Sequence, residues 1–217
     1  MALTIDDTPE VRFSTTLRDR TMPDHQQAEG NTLMRDLVAG TLDPARMGDM
    51  LAQHLLVYRA LETVAEAHRG HPEVQPFLLD GLARTAVLTD DVARLLGADA
   101  VDALAARPAT AAYVARLEEM ATWPGGFVAH HYTRYLGDLS GGQHIGRVVA
   151  RAYPDLAIGF YTFAEIESPK AVKERYRELL DAAPWSDEER ERVIDEVRNA
   201  YALNTAMFRD LDDDPAA

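Results

Sequence analysis

The chain contains no cysteine. That absence removes disulfides, thiolate metal sites, iron–sulfur clusters and thioether-attached cofactors together, and it points to a reducing, intracellular compartment. Positive charge is scarce: 22 Lys and Arg stand against 36 Asp and Glu, a formal net charge of −14. Nucleic acid is therefore not the expected partner, because binding to a phosphate backbone wants a basic face. Local basic clusters stay open. No stretch approaches the roughly eighteen uninterrupted apolar residues of a membrane span, and the opening MALTIDDTPE lacks the basic-then-apolar order of a secretory signal. The expectation is a cytoplasmic protein without a membrane anchor. Alternating β-branched runs are missing too, which leaves little from which to build a sheet.

What is present recurs at spacings of three and four, so the expected fold class is all-α. With 217 residues, 47% hydrophobic and 27% charged, the chain has material for one core, read as a single domain over 1–217 with frayed ends at 1–10 and 212–217. A first helix is expected from about Val11 to Glu29, kinked or restarted at Pro23. Asp43-Pro44 reads as an N-cap followed by Pro at the first helical position, opening a helix with the apolar face Met47, Met50, Leu51, Leu55, Tyr58 and Leu61 that ends near Gly70. Further helices are expected at about Pro76 to Leu96, at Thr110 to Thr122, from Gly125 to Tyr153, and from Ser168-Pro169. Ser186 and Glu189 form a capping box for the last helix, which runs to about Leu211. Pro154 to Glu167 reads as an irregular connection.

One stretch conflicts with its own helical pattern. FVAHHYTRYLGDLSGGQHIGRVVAR, Phe127 to Arg151, carries Gly137, Gly141, Gly142 and Gly146. Each interior glycine costs about 0.8–1 kcal/mol against alanine, roughly 3–4 kcal/mol together. Removing Cβ atoms lets a helix bend and lets a broad, flat ligand lie on bare backbone, with the Asp138 carboxylate in reach of it. Close packing of two helices on the Gly137–Gly141 ridge is the competing explanation. A phosphate loop is not: Gly141 and Gly146 have its spacing, but Arg147 and Val148 stand where it needs Lys and a hydroxyl.

The seven histidines fit no helical-bundle metal motif. None has a carboxylate three residues before it, and none is followed by Glu. A single histidine ligating iron within a tetrapyrrole remains permitted. His54 lies on or near the apolar face of its helix, His68 and His71 sit at a polar helix end, and His130 and His131 adjoin the glycines. His25 has Glu29 four residues on, able to orient the imidazole directly or through water; by itself such a pair is more often an exposed one.

The motif VAHHYTRYLGDLSGGQ, together with His25-Gln26-Gln27-Ala28-Glu29, resembles the heme oxygenases, and the resemblance extends over nearly the whole chain. It implies a single helical domain holding haem b between a proximal helix and a kinked distal helix. In that alignment His25 is the iron ligand, with Glu29 beside it, and Gly137, Asp138, Gly141 and Gly142 lie over the haem. Arg18, Tyr132, Lys173 and Arg177 match haem-propionate contacts, with Thr133 next to them in the motif. Tyr58, Arg134 and Asn204 match the network that organises distal water. Two departures stand out: Met22-Pro23 replaces a more helix-friendly pair, and Tyr201 lines the site where Phe is usual. A hydrophobic C-terminal tail is absent, as in the soluble bacterial type.

The implied reaction is oxygen-dependent opening of haem, both cofactor and substrate, to biliverdin, carbon monoxide and ferrous iron, with Asp138 holding the water that supplies protons. No G-x-G dinucleotide fingerprint is present, so electrons come from a redox partner protein such as ferredoxin or a flavin reductase. The alternatives are a non-catalytic haem carrier or chaperone on the same fold, or a related helical enzyme acting on another cofactor.

Overall fold

A computed structural model of the chain describes residues 11–28 and 30–213. Ten α-helices follow one another in these residues, and no strand occurs among them: α1 (Phe13–Ala28), α2 (Thr32–Ala39), α3 (Pro44–Ala67), α4 (Thr85–Leu96), α5 (Ala98–Asp102), α6 (Pro108–Glu119), α7 (Pro124–Gly137), α8 (Gln143–Ala152), α9 (Pro169–Ala182) and α10 (Asp187–Asp213). α3 packs against α4 and α6, and α10 packs against α1, α6 and α7. Along α3, Met47, Leu51, Leu55, Tyr58 and Leu61 are all fully buried. Burying side chains of this size contributes about 1.5–3 kcal/mol each, which makes α3 the central support of the site.

The helix starts follow their caps. Asp43 accepts from the Ala45 N–H at 2.8 Å ahead of Pro44, and Ser168 Oγ accepts from Ala171 at 3.2 Å ahead of Pro169. The capping box of α10 is only half made. Ser186 Oγ accepts from the Glu189 N–H at 3.2 Å, but the Glu189 carboxylate turns away to Trp123 Nε1 and Arg192.

Three expectations need correction. Of the two alternatives at Pro23 the restart is excluded, because α1 runs through the proline as one helix; proline removes one N–H there, which withdraws the helical partner of the Asp19 carbonyl. The helix expected from Pro76 begins only at Thr85. Gly81 takes a left-handed φ of 79°, and the buried Arg84 guanidinium gathers the carbonyls of Gly81, Leu82 and Thr162 at 2.8–3.1 Å, so the chain before α4 is turned toward those bonds. α4 is capped from outside, by Glu62 of α3, whose carboxylate accepts the Arg84 and Thr85 N–H groups. The frayed end expected from Asp212 is helical through Asp213, because the Asp212 carboxylate accepts the Thr32 and Leu33 N–H groups at 3.0 and 2.9 Å and caps α2. Residues 1–10 and 214–217 lie outside the described residues.

The irregular segment 154–167 is firmly held. The buried Asp91 carboxylate accepts the N–H groups of Gly159 and Phe160 at 2.8–3.0 Å. Together with Arg84 it fixes Phe160 and Tyr161 against the glycine-bearing helix.

Candidate active site

Between α7 and α8 the helix widens into one π-helical turn, Asp138–Gly142. Such turns recur at functional sites because they divert the backbone ladder. A Cβ built on Gly137 or on Gly141 would meet no atom within 4 Å. No second helix covers these positions, so close helix packing does not explain them; the bare backbone faces open space. Gly146 is different: a Cβ there would come within 3.0 Å of Tyr161 Cβ, so this glycine admits the 154–167 segment. One sequence feature thus serves two purposes.

The open space is a cleft of about 780 Å³, part of it open to solvent at its mouth. Thr133, Arg134, Gly137, Asp138, Gly141 and Gly142 line it from the distal helix, His25 from α1, and Tyr201 and Asn204 from α10. A second space shares His25, Gly137 and Tyr201 and is walled by Arg18, Tyr132, Lys173 and Arg177. The two form one cleft with an inner and a basic outer part. Tyr58 stands behind it, through its bond to Asp138. Glu29 lies outside the described residues.

In the inner part the Tyr58 hydroxyl donates to Asp138 Oδ2. Burial raises the Asp138 carboxyl above its usual value, while Arg134 and the Tyr58 bond act against that rise. Arg134 lies 4.8 Å over the Tyr58 ring and donates from Nη1 to Asn204 Oδ1 at 2.6 Å. Burial also works against the Arg134 charge, but the neighbouring Asp138 and the intrinsic basicity of a guanidinium keep it charged. Deeper still, Glu196 of α10 accepts from Arg116 and bonds His130 Nε2 at 2.8 Å, fastening α7 to α10 beneath Arg134. The polar cluster is thus held from three helices.

On the other wall, the His25 ring meets the Tyr201 ring edge-on, centroids 5.6 Å apart at 80°. The Tyr201 ring therefore sets the plane of the imidazole. In the outer part Lys173 Nζ donates to Ser140 Oγ at 3.2 Å, and Arg18 is ion-paired with Asp19 at 2.7 Å on the exposed face of α1. Burial raises the Tyr132 hydroxyl, and Arg177 and Arg18 pull it back, which places both cations beside that ring. The outer cleft is built for an anion.

Sequence reasoning missed His54, Phe160 and Tyr161 as wall residues. His54 gave a signal, a histidine on an apolar helix face. Phe160 and Tyr161 gave none, because an irregular segment has no period to read.

A backbone bared over one to two turns, an imidazole on the opposite wall and a cationic rim fit a flat, anionic, iron-bearing macrocycle. The family model described as heme oxygenase matches residues 11–210. The chain belongs to the heme oxygenase family. It is 34% identical over 200 residues to heme oxygenase of Pyropia yezoensis, covering 90% of this chain and 84% of that one, and 35% identical over 205 residues to heme oxygenase 1 of Rattus norvegicus, covering 92% and 71%. Among solved structures it is similar to heme oxygenase-1 of the cyanobacterium Synechocystis in complex with heme, TM-score 0.88 at 31% identity over 94% of both chains. Heme oxygenase of Leptospira interrogans gives 0.86 at 30% identity, covering 91% of this chain and 98% of that one. This heme oxygenase is accordingly an enzyme that degrades haem, which is its substrate and its cofactor, and the carrier reading is not favoured. Among the described residues no helix is long and apolar enough to cross a membrane.

Proposed function

We propose that the chain cleaves haem to biliverdin, carbon monoxide and ferrous iron through the residues of this cleft, drawing electrons from a redox partner protein such as ferredoxin or a flavin reductase in the cytoplasm. The observation that carries the assignment of residues is the bared backbone of Gly137 and Gly141 beside Asp138, across the cavity from His25. Bound there, haem supplies the iron that activates oxygen and the ring that is opened.

His25 would hold the iron through its imidazole, with Tyr201 fixing the ring plane. A neutral nitrogen ligand suits ring oxidation, since a thiolate pushes electron density toward O–O cleavage. Gly137 and Gly141 admit the macrocycle to the backbone. Lys173 and Arg177 are one helical turn apart on α9 and grip propionates by charge-assisted bonds, with Arg18 and Tyr132 on the same rim. That grip sets which ring edge faces the cavity interior. Asp138 holds the proton supply: Tyr58 occupies Oδ2, while no described residue bonds Oδ1 and the residue lines the cavity, which leaves Oδ1 for water. Arg134, tied to Asn204, keeps that carboxylate in place by charge.

The test is a single-turnover assay with hemin, reductant and oxygen, followed at the biliverdin band. Biliverdin should form with the wild type, whereas His25→Ala should retain some haem, lose most turnover and regain part of it with added imidazole. A haem complex that stays intact under these conditions would restore the carrier, and a His25→Ala variant with the wild-type spectrum and rate would place the ligand elsewhere.

A further inference from the structure

His54 is unexpected in this cavity. It lies one turn before Tyr58 on α3, is only 5% exposed, and sits against the rings of Phe160 and Phe208, with Met34, Met50 and Ile145 completing an apolar wall. Its Nδ1 is 2.8 Å from the Met50 carbonyl oxygen. A carbonyl can only accept, so Nδ1 carries the proton. Burial, reinforced by the Arg134 charge, lowers the ring's pKa to about 3 and keeps it neutral. Nε2 is then a lone pair with no proton, an acceptor only. No protein group among the described residues donates to it, Nε2 is not cut off from solvent, and the residue lines the cavity. Tyr161, on the 154–167 segment, lines the same cavity, and its hydroxyl makes no bond to a described residue.

An acceptor with no protein donor takes its hydrogen bond from water where the site is roomy enough to hold one. Two such groups facing one roomy cavity are the condition under which an internal water is retained rather than excluded. We propose that His54 Nε2 and the Tyr161 hydroxyl hold an ordered water in the apolar rear of the cavity, extending the proton supply of Asp138 and making His54 a positioning residue for haem cleavage. The titratable groups facing this water are Asp138 and Arg134 from the distal helix, His25 from α1 and Tyr201 from α10. The water accepts from Tyr161, donates to His54 Nε2, and has one further proton to offer toward Asp138. The inference rests on the haem-cleaving reading of the same cleft.

Two measurements on the haem-loaded protein test it. In the diamagnetic carbon monoxide complex, the ring-nitrogen shifts of ¹⁵N-labelled His54 should report a protonated Nδ1 and a bare Nε2 from pH 5.5 to 8. A ring that titrates in that range, or carries its proton on Nε2, would overturn the proposal. In single turnover, His54→Leu should slow biliverdin formation roughly three- to tenfold, the worth of one hydrogen bond, with haem affinity unchanged. His54→Gln, which brings back an acceptor oxygen, should recover most of the loss, and Tyr161→Phe should slow the step as His54→Leu does. Wild-type rates in His54→Leu, or a His54→Gln as slow as His54→Leu, would reduce His54 to packing. If the wild type itself forms no biliverdin, the haem-cleaving reading fails, and the nitrogen shifts still decide whether Nε2 is the bare acceptor.

Discussion

Asp138 pays in stability for its place in the cleft. Its carboxyl is raised by burial, so the charged form is disfavoured in the folded protein. The sign follows: relative to the unfolded chain, stability is fully present below the ordinary value of 3.8 and is lost as the pH rises through the raised folded value. Asp138→Asn should therefore stabilise the haem-free protein at neutral pH, measured by urea unfolding. On the proposed role, in which the carboxylate acts through water, Asp138→Ala should bind haem nearly as the wild type does, yet lose turnover by 10²–10⁴-fold, or roughly 3–5 kcal/mol of transition-state stabilisation. Near-normal biliverdin from Asp138→Ala would remove the carboxylate from the proton supply and leave the glycines as a haem-shaped surface.

At the scale of the element, the distal helix carries two kinds of glycine, and substitution separates them. Gly137→Ala places a methyl in open space, so the haem-free protein should gain up to about 1 kcal/mol from helix propensity while haem affinity falls. Gly146→Ala drives a methyl against the Tyr161 segment, which Arg84 and Asp91 hold in place, and should destabilise the haem-free fold instead. Thermal unfolding and hemin titration of the pair settle the division; equal effects from both would erase it. The caps Asp43 and Ser168, the apolar face of α3 and the motif around Asp138 were legible in the sequence, because each is written within a few consecutive turns. The chain before α4 was not, since its conformation is dictated by Arg84 reaching carbonyls as distant as Thr162. The short α2 was missed although Asn31 caps its start and left-handed Gly40 its end; eight residues give a period too short to read, and Asp212, some 180 residues away, adds a cap that no local pattern shows. The same limit applied to the cleft: the residues within the motif and the α9 cations were readable, His54 on α3 was not assigned to the cleft, and the loop wall, Phe160 and Tyr161, was placed by long-range bonds that no local pattern announces.

For the molecule as a whole, the interior holds histidines that must stay neutral. Burial lowers His131 to about 3, and burial with Arg134 lowers His54 to about 3, both from an ordinary value of 6.5. The unfolded chain binds protons in this range that the folded chain refuses, so their contribution is fully present above about pH 6.5 and is lost as the pH falls toward 3. Each such group gives a slope of about 1.4 kcal/mol per pH unit, and two of them over two units cost about 5 kcal/mol, comparable with the whole stability of a small domain. Glu196 adds a later loss. Burial alone would raise it, but its bonds to His130 and Arg116 hold it at about 2, so its contribution is present above the ordinary 4.5 and fades as the pH falls through 2. Relief of the self-repulsion of a chain at −14 works in the opposite direction. Comparison with a single variant cancels that effect. His131→Phe removes one histidine and its 2.9 Å bond to Tyr176 while keeping a ring of similar shape against it. At pH 8 the variant should be less stable by about 1–3 kcal/mol, because the buried Tyr176 hydroxyl loses its partner. Between pH 6.5 and 4.5 its stability should fall more gently than the wild type's by about 1.4 kcal/mol per unit, so the two curves converge and cross below about pH 6. Urea unfolding across this range checks it: parallel curves would mean that His131 takes up its proton inside the folded protein as readily as outside it.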